Sequence, residues 1–550
     1  MTSSDFTQSK YAPVMKLFND QRIGYQETSV TNPHSTHHSG PGEDARFTNE
    51  TRRALHKMIT VLPSYAELTD IFQTLSEWWE IWRQSFGLGW GESEDKTLLS
   101  FATRAVRSGN PSLLGSLLVC FALSTGDHTR YLGPVENWIL SEDNFTGHAY
   151  DFQCMIALGI CLLSALHPRR AWSVFRTANT RLQLAGLHKT HRKSKAADAV
   201  FWQIFGADRW LSLMIGLPYS IPDHLCDLHI PEPTESTLIS FHYQHLTVLT
   251  GRVIDSLQSS TSASLSDLIA VEENIDAITA KLPPGYLDIS QITTGLDRPH
   301  QSARFYRILQ INQLKAFLYL PHFLQRREPQ NEKYQSGPAS HYGKNACVNS
   351  ARSFLEAFLA LYDLDPTTAQ VDNSMKLTAF SALAAGVVLY LDVISNTKRA
   401  EHTESVEVDI NLICRTTSIL QMCSGDQVDS LCGQCHRALH ELVSCCGTMD
   451  QGSSREIIVP CFGAITISRN FCDTTETIDE TGVRDIALES SGAEFQPGPN
   501  NYGSAFDNTG FIPPTLFEDM LFSYEGPWDS HETSPDPFHQ DENFGFYHMV

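Results

Sequence analysis

The sequence predicts an all-α protein, a large multi-helix domain over residues 51–450 flanked by a disordered arm, 1–50, and an acidic, aromatic-dotted, mostly disordered tail, 451–550. Three observations carry this expectation. Between Thr51 and Met449 apolar residues recur at steps of three and four, which places them on one face of a helix. Short Gly, Pro and polar breaks separate these segments, and the period-two alternation of a half-buried strand is scarce. The two ends lack a sustained apolar period and are rich in small and polar residues, so neither can bury enough surface to offset its ordering entropy.

In chain order, the spacing predicts helices over 64–85, 96–107, 111–124, 149–166, 168–185, 195–215, 238–257 and 264–281. Five more follow over 300–323, 344–362, 374–395, 408–423 and 428–446. Two uncharged runs, Phe152 to Leu166 and Leu377 to Leu391, reach about 15 residues, short of the 18–20 that cross a hydrocarbon core, and are expected to be buried helices. No internal period of 20–50 residues announces a solenoid. The β-branched run Ile457 to Ile467 is open between a strand and an extended segment.

A hydrophobic fraction of 41% and a charged fraction of 19% are those of a globular chain, whereas the net charge of −23 opposes broad attraction to phosphate backbones. That charge is uneven: from Phe471 to Val550 about 16 acidic residues face the single basic Arg484. Thirteen cysteines, spread thinly, suit reduced thiols in an intracellular compartment. The first twenty residues carry no basic flank followed by an apolar stretch, so no secretory leader is expected.

Several constellations carry weak chemistry. Cys432, Cys435 and His436 form a CxxCH word, with His440 and Cys445 nearby, but on an amphipathic helix they read as core and surface thiols, and no metal or cofactor is expected. The stretch Gly337 to Asn345 has its glycines one residue too far apart for a phosphate loop, and Gly343 is expected just before a helix. The basic cluster His188 to Lys195 reads as a solvated inter-helix loop or as an import signal. No GxSxG elbow, HExxH helix, GxGxxG turn or EF-hand loop is found, so no enzyme is expected.

The most informative stretch is Ala171 to Pro231. Trp172, Phe175, Ala178, Leu182 and Ala185 fall on one stripe, and Gly186 ends the helix by adopting the left-handed conformation, with Leu187 packing back as in a Schellman cap. His188 then lies at a negative helix end, which favours a proton on it. A second helix burying Val200, Phe201, Ile204, Phe205, Leu211 and Ile215 is stopped by Gly216 and Leu217, and Pro218 and Pro222 prevent its resumption. Asp208 and Arg209 are adjacent in it, as a buried or a surface pair.

In order, the words AWSVFRTANTRLQLAGLH, FWQIFGADRWLSLMIGLP and IPDHLCDLHIP resemble the middle homology region of fungal zinc-cluster transcription factors. That family has a Trp-initiated helix ending in Leu-Gly-Leu-His, a Trp-rich helix with an Asp-Arg pair, and Gly-Arg-Pro before a Pro-Asp loop. Here these positions are Trp172, Ala185 to His188, Trp202, Asp208 with Arg209, Gly216 to Pro218, and Pro222 with Asp223. Three departures mark a divergent member: Ala197 to Val200 replace an arginine run, Phe201 the first tryptophan, and Leu217 the arginine of Gly-Arg-Pro. The first cysteine is Cys120, so the family's six-cysteine zinc cluster has no counterpart in this sequence, and direct DNA contact stays open.

The resemblance implies a nuclear transcription factor or coregulator of a metabolic or secondary-metabolite gene set. Expected partners are transcription machinery or a coactivator and a DNA-binding protein, with homodimerisation open and no membrane. A ligand-binding or scaffold protein without transcriptional role is the alternative. In the tail, acidic repulsion keeps aromatics exposed for a coactivator groove, with Phe511, Phe517, Phe522, Tyr524 and Trp528 the candidates; an inert solubilising tail is the competing reading.

Overall fold

In the computed structural model the described residues are 41–468, apart from 75–78, 80–96, 141–148, 190–194, 235–236, 260–262, 293–297, 325–337, 365, 367–372, 398–403, 425–429, 449–453 and 460–462. The expected arm before residue 41 and the tail from 469 on, with its five candidate aromatics, lie outside them.

The described chain is helical up to a terminal hairpin. Its first half runs α1 (Pro41–Thr60), α2 (Tyr65–Thr74), α3 (Leu98–Ser108), α4 (Pro111–Thr125), α5 (His128–Ile139), α6 (Ala149–Ser164), α7 (Pro168–Leu184) and α8 (Lys195–Ile215). The second half runs α9 (Leu238–Gln258), α10 (Leu265–Thr279), α11 (Ile289–Ile292), α12 (Arg298–Leu324), α13 (Pro338–Leu364), α14 (Asn373–Thr397), α15 (Glu404–Ser424) and α16 (Leu431–Thr448). Strands β1 (Ser454–Val459) and β2 (Gly463–Ser468) then pair antiparallel, Ile457 opposite Ile465. The run left open between strand and extended segment is therefore a hairpin, and it packs on α16.

Two hydrophobic cores form, sharing α8 and α9. In the first, α4 is apolar all round and buried from Pro111 to Ser124, as its sequence demands of a central helix. Asn110 caps it by accepting from the amides of Ser112 and Leu113, and Gly126 closes it at φ 75°. α5 and α6 flank it, and α7 packs on α6 so closely that a Cβ on Gly159 would lie 2.5 Å from the Phe175 ring. The second core is built on the pair α12 and α13, each 27 residues long, with α14, α15 and α16 layered against them.

Three boundaries differ from the expectation. α1 begins at Pro41, ten residues inside the expected arm, and its Met58 is fully buried in the first core. Proline at a first helical position costs no hydrogen bond, so the Pro41 that reads as a break is a start. α5 was hidden by Gly133 and Pro134, yet Tyr131, Leu132, Val135, Trp138 and Ile139 bury at helical spacing, outweighing the one bond that Pro134 removes. α13 begins at Pro338, so Gly343 lies within the helix, not before it, against the His322 side chain.

Candidate regulatory site

The stretch Ala171 to Pro231 folds as the expected helical hairpin, α7 and α8, followed by a return loop. Both helices end as the glycines dictate. Gly186 sits at φ 72°, its amide donating to the Gln183 carbonyl and the Leu187 amide to that of Leu182, each at 3.0 Å. Gly216 repeats this at φ 71°, with the Leu217 amide 2.9 Å from the Ser212 carbonyl. Leu187 packs into the first core.

Three tethers hold the hairpin and loop. The Trp172 indole, half-buried and not in the deep stripe, donates to Ser212 Oγ at 2.9 Å, under an Arg176 guanidinium 4.5 Å above its ring. Arg176 and Ser212 both donate to the Pro218 carbonyl, at 2.9 and 3.3 Å. Trp202 is buried edge-on to Phe201 and Phe205, and its carbonyl accepts from the Tyr243 hydroxyl of α9 at 3.2 Å.

Asp208 and Arg209 are both buried, but they do not pair with each other, because successive side chains on a helix point about 100° apart. Asp208 accepts from the Ser220 amide at 2.7 Å and the Ser220 hydroxyl at 2.8 Å. Burial raises its pKa, against the lowering effect of those two bonds. Arg209 donates to the carbonyls of Thr247 and Val248 on α9, each at 3.3 Å, to the Ile221 carbonyl at 3.2 Å, and to the Asp223 carboxylate. Its guanidinium also stacks 3.9 Å over Phe205 and 4.5 Å over Tyr219. Asp223 is placed for this by Pro222, which starts the short 3₁₀ turn Asp223–Leu225.

Arg209 thus ties α8, the return loop and α9 together where the two cores meet. Both terminal nitrogens of the guanidinium are bonded, while its Nε is buried without a hydrogen-bond partner. Sequence reading missed Ser212 and Ser220 within the stretch, and Tyr243 and Gly251, which come from α9. Only Gly251 left a trace, a glycine inside a helix: a Cβ there would lie 2.5 Å from the Arg209 Nη1.

His188 departs from expectation. Burial, followed by the Lys189 charge, lowers its pKa, outweighing the helix end that would favour a proton. Residues 190–194 of the basic cluster lie outside the described residues. Cys432 and Cys435 are buried in the second core, and His436 Nδ1 is 3.0 Å from the Thr417 carbonyl with the His440 ring stacked at 5.6 Å. The Cys445 side chain lies outside the described set. Among the described residues no helix is long and apolar enough to cross a membrane.

Residues 133–383, which contain this hairpin and its α9 partner, match the family model described as the fungal specific transcription factor domain. Transcription factor eupR of Phoma sp is 24% identical over 36% of this chain and 46% of its own length. The probable transcription factor gsfR1 of Penicillium aethiopicum is 25% identical over 55% of this chain and 46% of its own length. The dehydrocurvularin biosynthesis regulator of Alternaria cinerariae is 21% identical over 46% and 34% respectively. The chain thus spans less than half the length of these curated relatives. No solved structure matches it. Residues 133–383 of this chain are therefore similar to the fungal specific transcription factor domain.

Proposed function

We propose that the protein is a nuclear regulator of transcription, controlling a metabolic or secondary-metabolite gene set through binding and not catalysis. The observation that carries this reading is the ordered hairpin of α7 and α8, closed by paired glycine caps and bound by Arg209 to α9, inside the segment that matches the family. The name of the Alternaria cinerariae relative, a biosynthesis regulator, supports the choice of gene set.

In this reading the helical body is the regulated part and the tail Phe471 to Val550 the effector part, its aromatics Phe511, Phe517, Phe522, Tyr524 and Trp528 entering a groove on a coactivator. DNA is reached directly or through a DNA-binding partner. Chromatin immunoprecipitation of the tagged protein should enrich promoters of one metabolic gene cluster, and an absence of enrichment there would refute the assignment. Fused to a foreign DNA-binding domain, Phe471 to Val550 should raise reporter output, and alanine at the five aromatics should remove the gain. An inert fusion would return the tail to a solubilising role.

A further inference from the structure

The second core has a partly open cavity of about 470 Å³ between α12, α14 and α16, a size within the ordinary range for small-molecule sites. Its wall is apolar, with Phe317, Phe354, Phe380, Val388 and Leu442 prominent, and no ionisable side chain lines it. The polar side chains on its surface are Gln313 of α12 and Ser381 of α14, both more than nine-tenths buried. Gln313 Nε2 donates one hydrogen to Ser381 Oγ at 2.9 Å and the other to Met214 Sδ at 2.8 Å. Gln313 and Ser381 are thus the paired polar groups in an otherwise apolar wall. Two polar side chains converging in an apolar wall are what orients a ligand in such a site.

We propose that this cavity is a binding site for a neutral, largely apolar small molecule carrying a hydroxyl, which donates to Gln313 Oε1 and accepts from the Ser381 hydroxyl. A charged ligand is excluded because nothing in the wall offsets its desolvation. Met214 lies on α8, five residues from Arg209, so the amide that reads the ligand is bonded to the helix that joins the two cores. The inference goes beyond the transcriptional reading and does not rest on it, since binding to purified protein and promoter occupancy fail independently.

The test is a fluorescence titration of the purified full chain with 2-naphthol, naphthalene and 2-naphthoate at pH 7. Saturable binding of 2-naphthol is expected, with naphthalene about tenfold weaker, as one or two buried hydrogen bonds imply. The naphthoate should show no saturation. Ala384→Phe, which places a ring in the cavity, should weaken 2-naphthol at least tenfold while circular dichroism and cooperative unfolding report an intact fold. Ser381→Ala should narrow the difference between 2-naphthol and naphthalene to about threefold, the bond to Gln313 remaining. The proposal is overturned if 2-naphthol does not saturate the folded wild type, if a folded Ala384→Phe binds it unchanged, or if 2-naphthoate binds as tightly.

Discussion

The two cores solve the same packing problem differently. In the first, glycines let helices approach until side chains meet backbone: Gly115 of α4 faces Cys154 and Gly159 of α6 faces the Phe175 ring, with no room for a further carbon. In the second, longer helices diverge around a space of about 470 Å³ that their apolar side chains leave open. Two cores of similar composition therefore differ in tolerance. The first is a closely packed block that holds the hairpin, the second leaves a chamber, and Arg209 joins them.

The largest effect is expected at that joint. Arg209→Met removes a buried guanidinium with four oxygen partners and should cost about 3–5 kcal/mol in urea unfolding. A loss under about 1 kcal/mol would show that the cores are not coupled there.

Next comes acid. His242 of α9 is buried beside Arg307 and His245, and burial first, then these two positive neighbours, depress its pKa to about 3. The unfolded chain takes this proton near pH 6.5 and the folded chain only near 3, so stability is lost as pH falls through that window. At pH 5 the loss should be about 2 kcal/mol relative to pH 7. His242→Phe should flatten the dependence; an unchanged slope would assign it to other groups.

The contrast in packing is sharpened by two small-to-large changes. Gly159→Ala drives a methyl into the Phe175 ring and should lower stability by about 1–2 kcal/mol, despite alanine's better helix propensity. Ala384→Leu enters the chamber and should change stability by less than about 1 kcal/mol, in either direction. Equal losses from the two, measured by thermal unfolding, would remove the distinction between block and chamber.

Sequence reading recovered most helices because burial on one face writes itself at steps of three and four, and it recovered both caps because only glycine accepts the left-handed conformation cheaply at φ 72° and 71°. α1 and α5 escaped it, since prolines that look like breaks are tolerated at a helix start or where many apolar side chains bury. Arg209 and Asp223 were both named, but not as partners, and the carbonyls of Ile221 and α9 that Arg209 also meets lie up to 39 residues away.

What the sequence determined by itself is therefore local: which segments are helical, where glycine ends them, and the ordered words shared with the family. The tertiary structure alone decided that Asp208 and Arg209 turn to different partners, that His188 loses its proton preference to burial, and that an apolar chamber opens beside Gln313 and Ser381. The physical reason is range. Helix periodicity and capping act over a few neighbours, whereas the partners of a buried charge, the desolvation of an imidazole and the volume left between helices are set by segments far apart in the chain.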